Sequence, residues 1–184
     1  MKMNAKAAGI VLLAGFVVTG IILLGACKGA SEKGRQEMAE NMVEKMLEKQ
    51  TGKKADVDFE KGKFKVETPE GSAEISESGE WPSDLPGEVP AFKLGVVKGV
   101  WKSDSAEQKG WNILVENLEK DAMAKYADAL KSAGWKILST FATGEGSGTF
   151  AASREGGLNL VGTFNAENKA GSISVVLKPE ENQE

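Results

Sequence analysis

The stretch DAMAKYADALKSAGWKILSTFATGEGSGTFAASREGGLNLVGTF, residues 121–164, decides how this chain folds. Its first third carries Met123, Tyr126, Ala127 and Leu130 at the three- and four-residue spacing of one helical face. Asp121 stands where an N-cap is expected and Gly134 where a helix stops, which predicts a helix from Asp121 to about Ser132. After Gly134 the period changes from 3.6 to two. Residues 135–142, 149–153 and 158–164 read as strands joined by glycine-rich hairpin loops, and residues 172–177 add a fourth. Upstream, residues 92–102 and 110–118 read as a strand pair around the polar loop 103–109. A strand pair, a helix and four strands predict an α+β domain over residues 91–178, a mostly antiparallel sheet with one helix packed on it. Trp111 alternates with Ile113 and Val115, and Trp135 with Ile137, so both indoles are expected in its core.

Residues 80–90, with Trp81-Pro82, Leu85-Pro86 and Val89-Pro90, form an extended connector that is neither helix nor central strand. It is expected to separate the main domain from an annex over residues 35–79. That annex opens with a helix from Arg35 to Gln50, where Met38, Met42 and Met46 make a stripe expected to pack on a sheet. A β-meander follows, built on Val57 with Phe59, Phe64 with Val66, and Ala73 with Ile75. Residues 179–184 are an acidic tail.

The amino terminus says where the protein works. Lys2 and Lys6 precede an uncharged stretch from Ala7 to Ala26 whose apolar centre contains only Thr19 as a polar side chain, the layout of an export signal. The stretch ends in Leu24-Gly25-Ala26-Cys27, which resembles the lipobox of bacterial lipoproteins. The resemblance implies that residues 1–26 are a signal peptide cut between Ala26 and Cys27, and that the Cys27 thiol carries a thioether-linked diacylglycerol. Residues 27–34 then form a short lipidated tether, and the membrane is a partner through that lipid. Two or three acyl chains hold a protein on a bilayer essentially permanently. By the same family's sorting rule, Lys28 in place of Asp points to the periplasmic face of the outer membrane where a cell has two membranes.

Composition removes most familiar chemistry. The chain has no histidine and one cysteine, so it can build neither a Ser-His-Asp triad nor a histidine zinc site, nor an internal disulfide. Its net charge is −4, and loss of Lys2 and Lys6 with the signal peptide makes it more acidic, which argues against nucleic acid as a partner. Asp56, Asp58, Glu60 and Glu67 match calcium-loop positions, but Lys61 replaces the required glycine and the intervening residues alternate as strands. Gly144-Glu145-Gly146-Ser147-Gly148 lacks the helix and lysine of a phosphate loop. Glu80, Asp84 and Glu88 are the most site-like carboxylates, the basis of a remote hydrolase reading. No catalytic residue, metal site or cofactor is therefore assigned.

Beyond the signal, the chain resembles a broad group of functionally uncharacterised bacterial lipoproteins. The likeness rests on the Trp-Pro, Leu-Pro, Val-Pro connector at 81–90 and on Tyr126, Leu130, Gly134 and Trp135. It implies an envelope setting and the α+β fold, and carries no activity. The expected role is binding: an interaction or accessory module that presents a sheet face or the connector to an envelope protein. The alternative is a small-molecule or glycan site around Trp81 and Trp101, two indoles less constrained by the strand pattern.

Overall fold

In a computed structural model, residues 40–45, 47–49, 54–60, 63–69, 71–77 and 79–178 are described. A helix, α1, is described at residues 40–45 and 47–49. Then come β1 (Asp56–Glu60), β2 (Lys63–Thr68), β3 (Gly71–Ser76), β4 (Val96–Ser105), β5 (Lys109–Glu116), α2 (Ala122–Ser132), β6 (Lys136–Gly144), β7 (Ser147–Arg154), β8 (Leu158–Asn165) and β9 (Ala170–Leu177). Strands outweigh helices and pair antiparallel from β3 to β9, in keeping with the α+β class.

The chain divides into two compact units, residues 1–59 with 66–69, and residues 60–65 with 70–184. In the first, the Glu44 carboxylate of α1 accepts the Val57 amide at 3.2 Å, and Leu47 and Val57 are buried. Met42 is 55% exposed, so the buried side of α1 passes through Leu47 and not through Met42 of the methionine stripe. Met38 and the Met46 side chain lie outside the described residues. The carboxylates of the calcium-loop pattern fall on β1 and β2, where extended backbone replaces the loop that would wrap a cation.

In the second unit the strand order is β3-β4-β5-β9-β8-β7-β6. Strands β6 to β9 form a meander whose last member pairs with β5, so α2 carries the chain from β5, past three strands, to the far edge. Counting the antiparallel steps, β5 and β6 run in the same direction, and α2 is the crossover that such a connection requires. Its side chains supply the reason it stays there. Tyr126 and Leu130 are fully buried, and Tyr126 lies 5.1 Å edge-on from Phe92 and 6.4 Å from Phe150, ring centre to ring centre. Burying each such side chain contributes roughly 1.5–3 kcal/mol.

The ends of α2 divide the capping expectations. Asp121 occupies the N-cap position but makes no capping bond; its carboxylate pairs instead with Lys125 one turn on, at 3.2 Å. At the other end Gly134 adopts φ +82°, and the amides of Gly134 and Trp135 bond the carbonyls of Lys131 and Leu130. That is a Schellman motif, and its left-handed residue favours glycine.

The division expected at residues 80–90 is not found there. Strand β3 pairs with β4 over six residues, from Gly71 opposite Ser105 to Ser76 opposite Val100, and so belongs to the main sheet. The connector belongs to the main core: Leu85, Val89 and Phe92 are buried in one cluster with Ile113, Leu130 and Phe150. Nor is the segment extended as expected: it makes two turns, closed by the Leu85 amide on the Pro82 carbonyl and the Val89 amide on the Pro86 carbonyl. Each turn starts at a proline, whose carbonyl accepts and whose missing amide is not needed there, and the apolar residues between the prolines bury against the sheet.

Candidate functional site

Two surfaces were candidates for presentation to a partner, the connector and a sheet face, and their geometry differs sharply. Three aromatic side chains of the core donate hydrogen bonds to the connector. Trp111 Nε1 reaches Asp84 Oδ2 at 3.3 Å, Tyr126 Oη reaches the Pro90 carbonyl at 2.9 Å, and Trp135 Nε1 reaches the Glu88 carbonyl at 2.8 Å. The connector turns twice, with the Leu85 amide on the Pro82 carbonyl at 3.5 Å and the Val89 amide on the Pro86 carbonyl at 2.9 Å, and the Glu88 and Pro90 carbonyls serve as acceptors for the buried indole of Trp135 and phenol of Tyr126. Asp84 also takes Lys102 Nζ at 2.9 Å. Burial works to raise the Asp84 pKa, but the hydrogen bonds from Lys102 and Trp111 outweigh it and hold the carboxyl below its ordinary value. The connector is thus a layer fixed on the core side of the sheet.

Among the described residues of this unit, no segment like the connector is packed on the opposite side of the sheet. Residues directly across neighbouring strands share a face, so strand register reads out each face in rows. One row runs Ile75, Trp101, Asn112, Ser174, Val161, Ala151, Ser139 across seven strands. The next runs Gly99, Leu114, Ser172, Thr163, Thr149, Phe141. Neither holds a charge, in a chain of which 27% of residues are charged. Leu114 is 51% exposed, Val161 42% and Phe141 71%. Two polar pairs on this face bond each other laterally, Asn112 Nδ2 to Ser174 Oγ at 2.7 Å and Thr149 Oγ1 with Thr163 Oγ1 at 3.2 Å. Exposed charges adjoin these rows at the β3–β4 end, at Lys98, the bulge residue between Val97 and Gly99, and at Glu77, one residue past buried Ser76, and Glu116 and Lys136 stand in the adjoining rows. The stretch from β5 to β6, where the two rows omit charge and expose apolar side chains, is the kind of surface that proteins use for contact.

The sequence-derived site residues fall as follows. Ala26 and Cys27 lie outside the described residues. Trp111 and Trp135 are buried as expected. Trp81 is half-buried and packs against the core cluster from the connector. Trp101 sits opposite Asn112, while its neighbours Val100 and Lys102 sit opposite the core residues Ile113 and Trp111. Trp81 and Trp101 therefore lie on opposite sides of the sheet, and a single aromatic ligand site shared by the two is not formed. The carboxylate set is likewise dispersed in role: Asp84 is held by Lys102 and Trp111, and Glu88 contributes its backbone carbonyl to Trp135.

Two depressions lie among the described residues. A shallow one of about 550 Å³ is lined by Gly87, Glu88, Pro90, Ala133 and Arg154, and the Arg154 guanidinium is spent on the Ala133 carbonyl at the end of α2. A larger one of about 800 Å³ is lined by residues including Glu119, Lys120, Glu145 and Ser147. There Glu119 pairs with Lys125, Glu145 with Lys120, and the Ser147 hydroxyl accepts the Ala166 amide. These neutralised pairs and a committed hydroxyl offer no activated nucleophile. Among the described residues no group of three His, Cys, Asp or Glu side chains is placed to hold a metal ion, and no helix is long and apolar enough to cross a membrane.

Sequence reasoning missed Leu114, Phe141 and Val161 as surface residues. The signal was present in the solvent-phase positions of β8 and β9: Asn159, Val161, Thr163, Ser172, Ser174 and Val176 include no charge. No protein-family description, curated protein or solved structure matches the chain.

Proposed function

We propose that this chain is an exported, lipid-anchored bacterial envelope protein without catalytic activity, whose α+β domain serves as a protein-interaction or accessory module. The anchoring part of the reading rests on the n-region, the apolar stretch and the Leu24-Gly25-Ala26-Cys27 lipobox. The binding part rests on one observation, the stretch of the outer sheet face from β5 to β6 whose two central rows omit charge and expose Leu114, Val161 and Phe141. Exposed antiparallel sheets normally alternate apolar with charged or polar positions to keep their outer side in water. From β5 to β6 the two rows omit charge and expose Leu114, Val161 and Phe141, which suits that part of the face to burial against protein. The connector, by contrast, is occupied within its own core, so of the two presentation surfaces the sheet face supports the reading.

The test is in-cell crosslinking of the acylated protein in its native envelope followed by mass spectrometry, with Cys27→Ser as a mislocalised control. A dominant crosslinked protein, lost in the control, is the expected result. Recovery of abundant envelope proteins alone, in equal yield from both forms, would remove the interaction role.

A further inference from the structure

We infer that two copies of this chain pair antiparallel through the open edge of β6, about a two-fold axis at Phe141, so that their sheets become one. The pairing does not depend on which protein covers the outer face.

Strand β6 ends the strand order and has β7 as its one neighbour. An edge strand presents unpaired amides and carbonyls, and natural edges are blunted with charge, proline or bulges. From Ile137 to Gly144 there is neither charge nor proline, as in the central strands β8 and β9. Every residue from Leu138 to Gly144 is exposed, Phe141 to 71%. Such a composition belongs to a strand with neighbours on both sides.

The ladder to β7 slips between Ile137 and Ser139 and again between Ala142 and Gly144, which leaves Ser139 to Ala142 as its regular stretch. A β-carbon on Gly148 would fall on the Phe141 carbonyl oxygen, so that oxygen is directed at β7. Direction alternates along an antiparallel strand, and Thr140 and Ala142 therefore turn their amides and carbonyls to the open side. Among the described residues, no backbone bond from another segment meets them there.

Backbone groups alone would accept any extended strand; what surrounds them selects a second copy. Thr140 and Ala142 flank Phe141 symmetrically. A two-fold there sets Thr140 against Ala142 of the second copy and Ala142 against its Thr140, closing about four backbone bonds between the bulges. Phe141 then stands directly opposite Phe141 of the second copy in a non-hydrogen-bonded pair, where side chains approach closest and aromatic pairs are favourable. The charges at the two ends of the run are unlike: Lys136 precedes it, and Glu145, paired with exposed Lys120, follows it. Antiparallel pairing brings the Glu145 end of one copy to the Lys136 end of the other, whereas parallel pairing would set Lys136 against Lys136. The charged residues of α2, which packs on the core side of β6 and β7, are Lys125, Asp128 and Lys131, and each is already in an ion pair. Four bonds and one ring pair make an interface below the standard of about 800 Å² per partner, hence a weak pair to be captured in place.

The test places p-benzoylphenylalanine at Ala142, on the open edge, in the full-length protein in its native membrane, with the same probe at Val161 on the outer face for comparison. The expected product from Ala142 is an adduct at twice the monomer mass that contains only this chain and is joined within β6; Val161 is expected not to give it. Thr140→Lys puts a like charge on each side of the axis and is expected to lower that adduct about tenfold with the thermal midpoint unchanged. A dimer that Thr140→Lys leaves intact, one joined outside β6, or one formed equally from Val161 overturns the inference. An adduct of the Ala142 probe with a different protein makes another chain's strand the occupant and overturns it as well, as does an adduct with lipid alone or none.

Discussion

The phenol of Tyr126, on the helix that crosses the sheet, donates to the carbonyl oxygen of Pro90, 36 residues earlier in the chain, at 2.9 Å. One bond thereby fastens the crossover helix to the proline-rich segment, and the two Trp bonds to Asp84 and Glu88 extend the same fastening along the segment. Tyr126→Phe keeps the ring among Phe92 and Phe150 but leaves the Pro90 carbonyl without its donor, an effect of about 1–2 kcal/mol. Urea unfolding of the full chain is expected to show a lower midpoint with an unchanged slope. Burial pushes the phenol up, so its contribution is complete below the ordinary tyrosine range and is lost as the pH climbs above it.

Asp84 sets the acid side of the same arrangement. Its folded pKa is lowered by the Lys102 and Trp111 hydrogen bonds, against the opposing effect of burial. A lowered carboxyl contributes stability that is fully present above its unfolded pKa and is lost as the pH falls below it. The pair is half-exposed and screened, so the contribution is about 1 kcal/mol or less. Thermal midpoints recorded from pH 7 down to pH 3 are expected to fall less for Asp84→Asn than for the parent chain. Curves that run parallel would count against the carboxylate's role.

How far this was legible in the sequence can be judged at particular residues. Tyr126 and Leu130 on one face, Gly134 at a turn and the alternation after Trp135 placed α2 and β6 to β9 closely, because period and turn chemistry are local properties. The start of β4 is Val96 and not Phe92: Phe92 is apolar because it packs on Tyr126, a contact that alternation cannot distinguish from a strand position. The place of residues 80–90 was not legible, since prolines exclude helix and central strand but do not say what the intervening Leu85 and Val89 pack against. Trp81 and Trp101 were paired as candidates on chemistry alone. Which side of a sheet each occupies depends on the register of β4 with β5 and on the bulge between Val97 and Gly99, neither of which is encoded in composition.

Gly134 tests the helix terminus. At φ +82° a β-carbon is strained, and an ideal one would lie 3.3 Å from Arg154 Nη1, the group that bonds the Ala133 carbonyl. Gly134→Ala is expected to destabilise by about 1–2 kcal/mol. Gly87→Ala, where nothing lies within 4 Å of the added carbon, is the matched control. Equal denaturation midpoints for the two variants would contradict the Schellman geometry.

Val161 and Gly162 are successive residues of β8 that face opposite sides of the sheet, and together they separate folding from docking. Gly162 lies under the stacked rings of Phe150 and Phe164, whose centres are 6.0 Å apart, and a β-carbon there would come within 2.7 Å of both. Gly162→Ala overfills a packed core and is expected to cost about 1–3 kcal/mol. Val161→Glu adds a charge to an open face and is expected to change stability by no more than about 0.5 kcal/mol. Its effect belongs to association: the crosslinked species that the wild-type chain forms with another envelope protein is expected to vanish while the variant melts normally. A Val161→Glu protein that melts several degrees lower would mean that this side of β8 is already buried in the folded monomer, and a Gly162→Ala protein of full stability would mean that the aromatic pair does not close over β8.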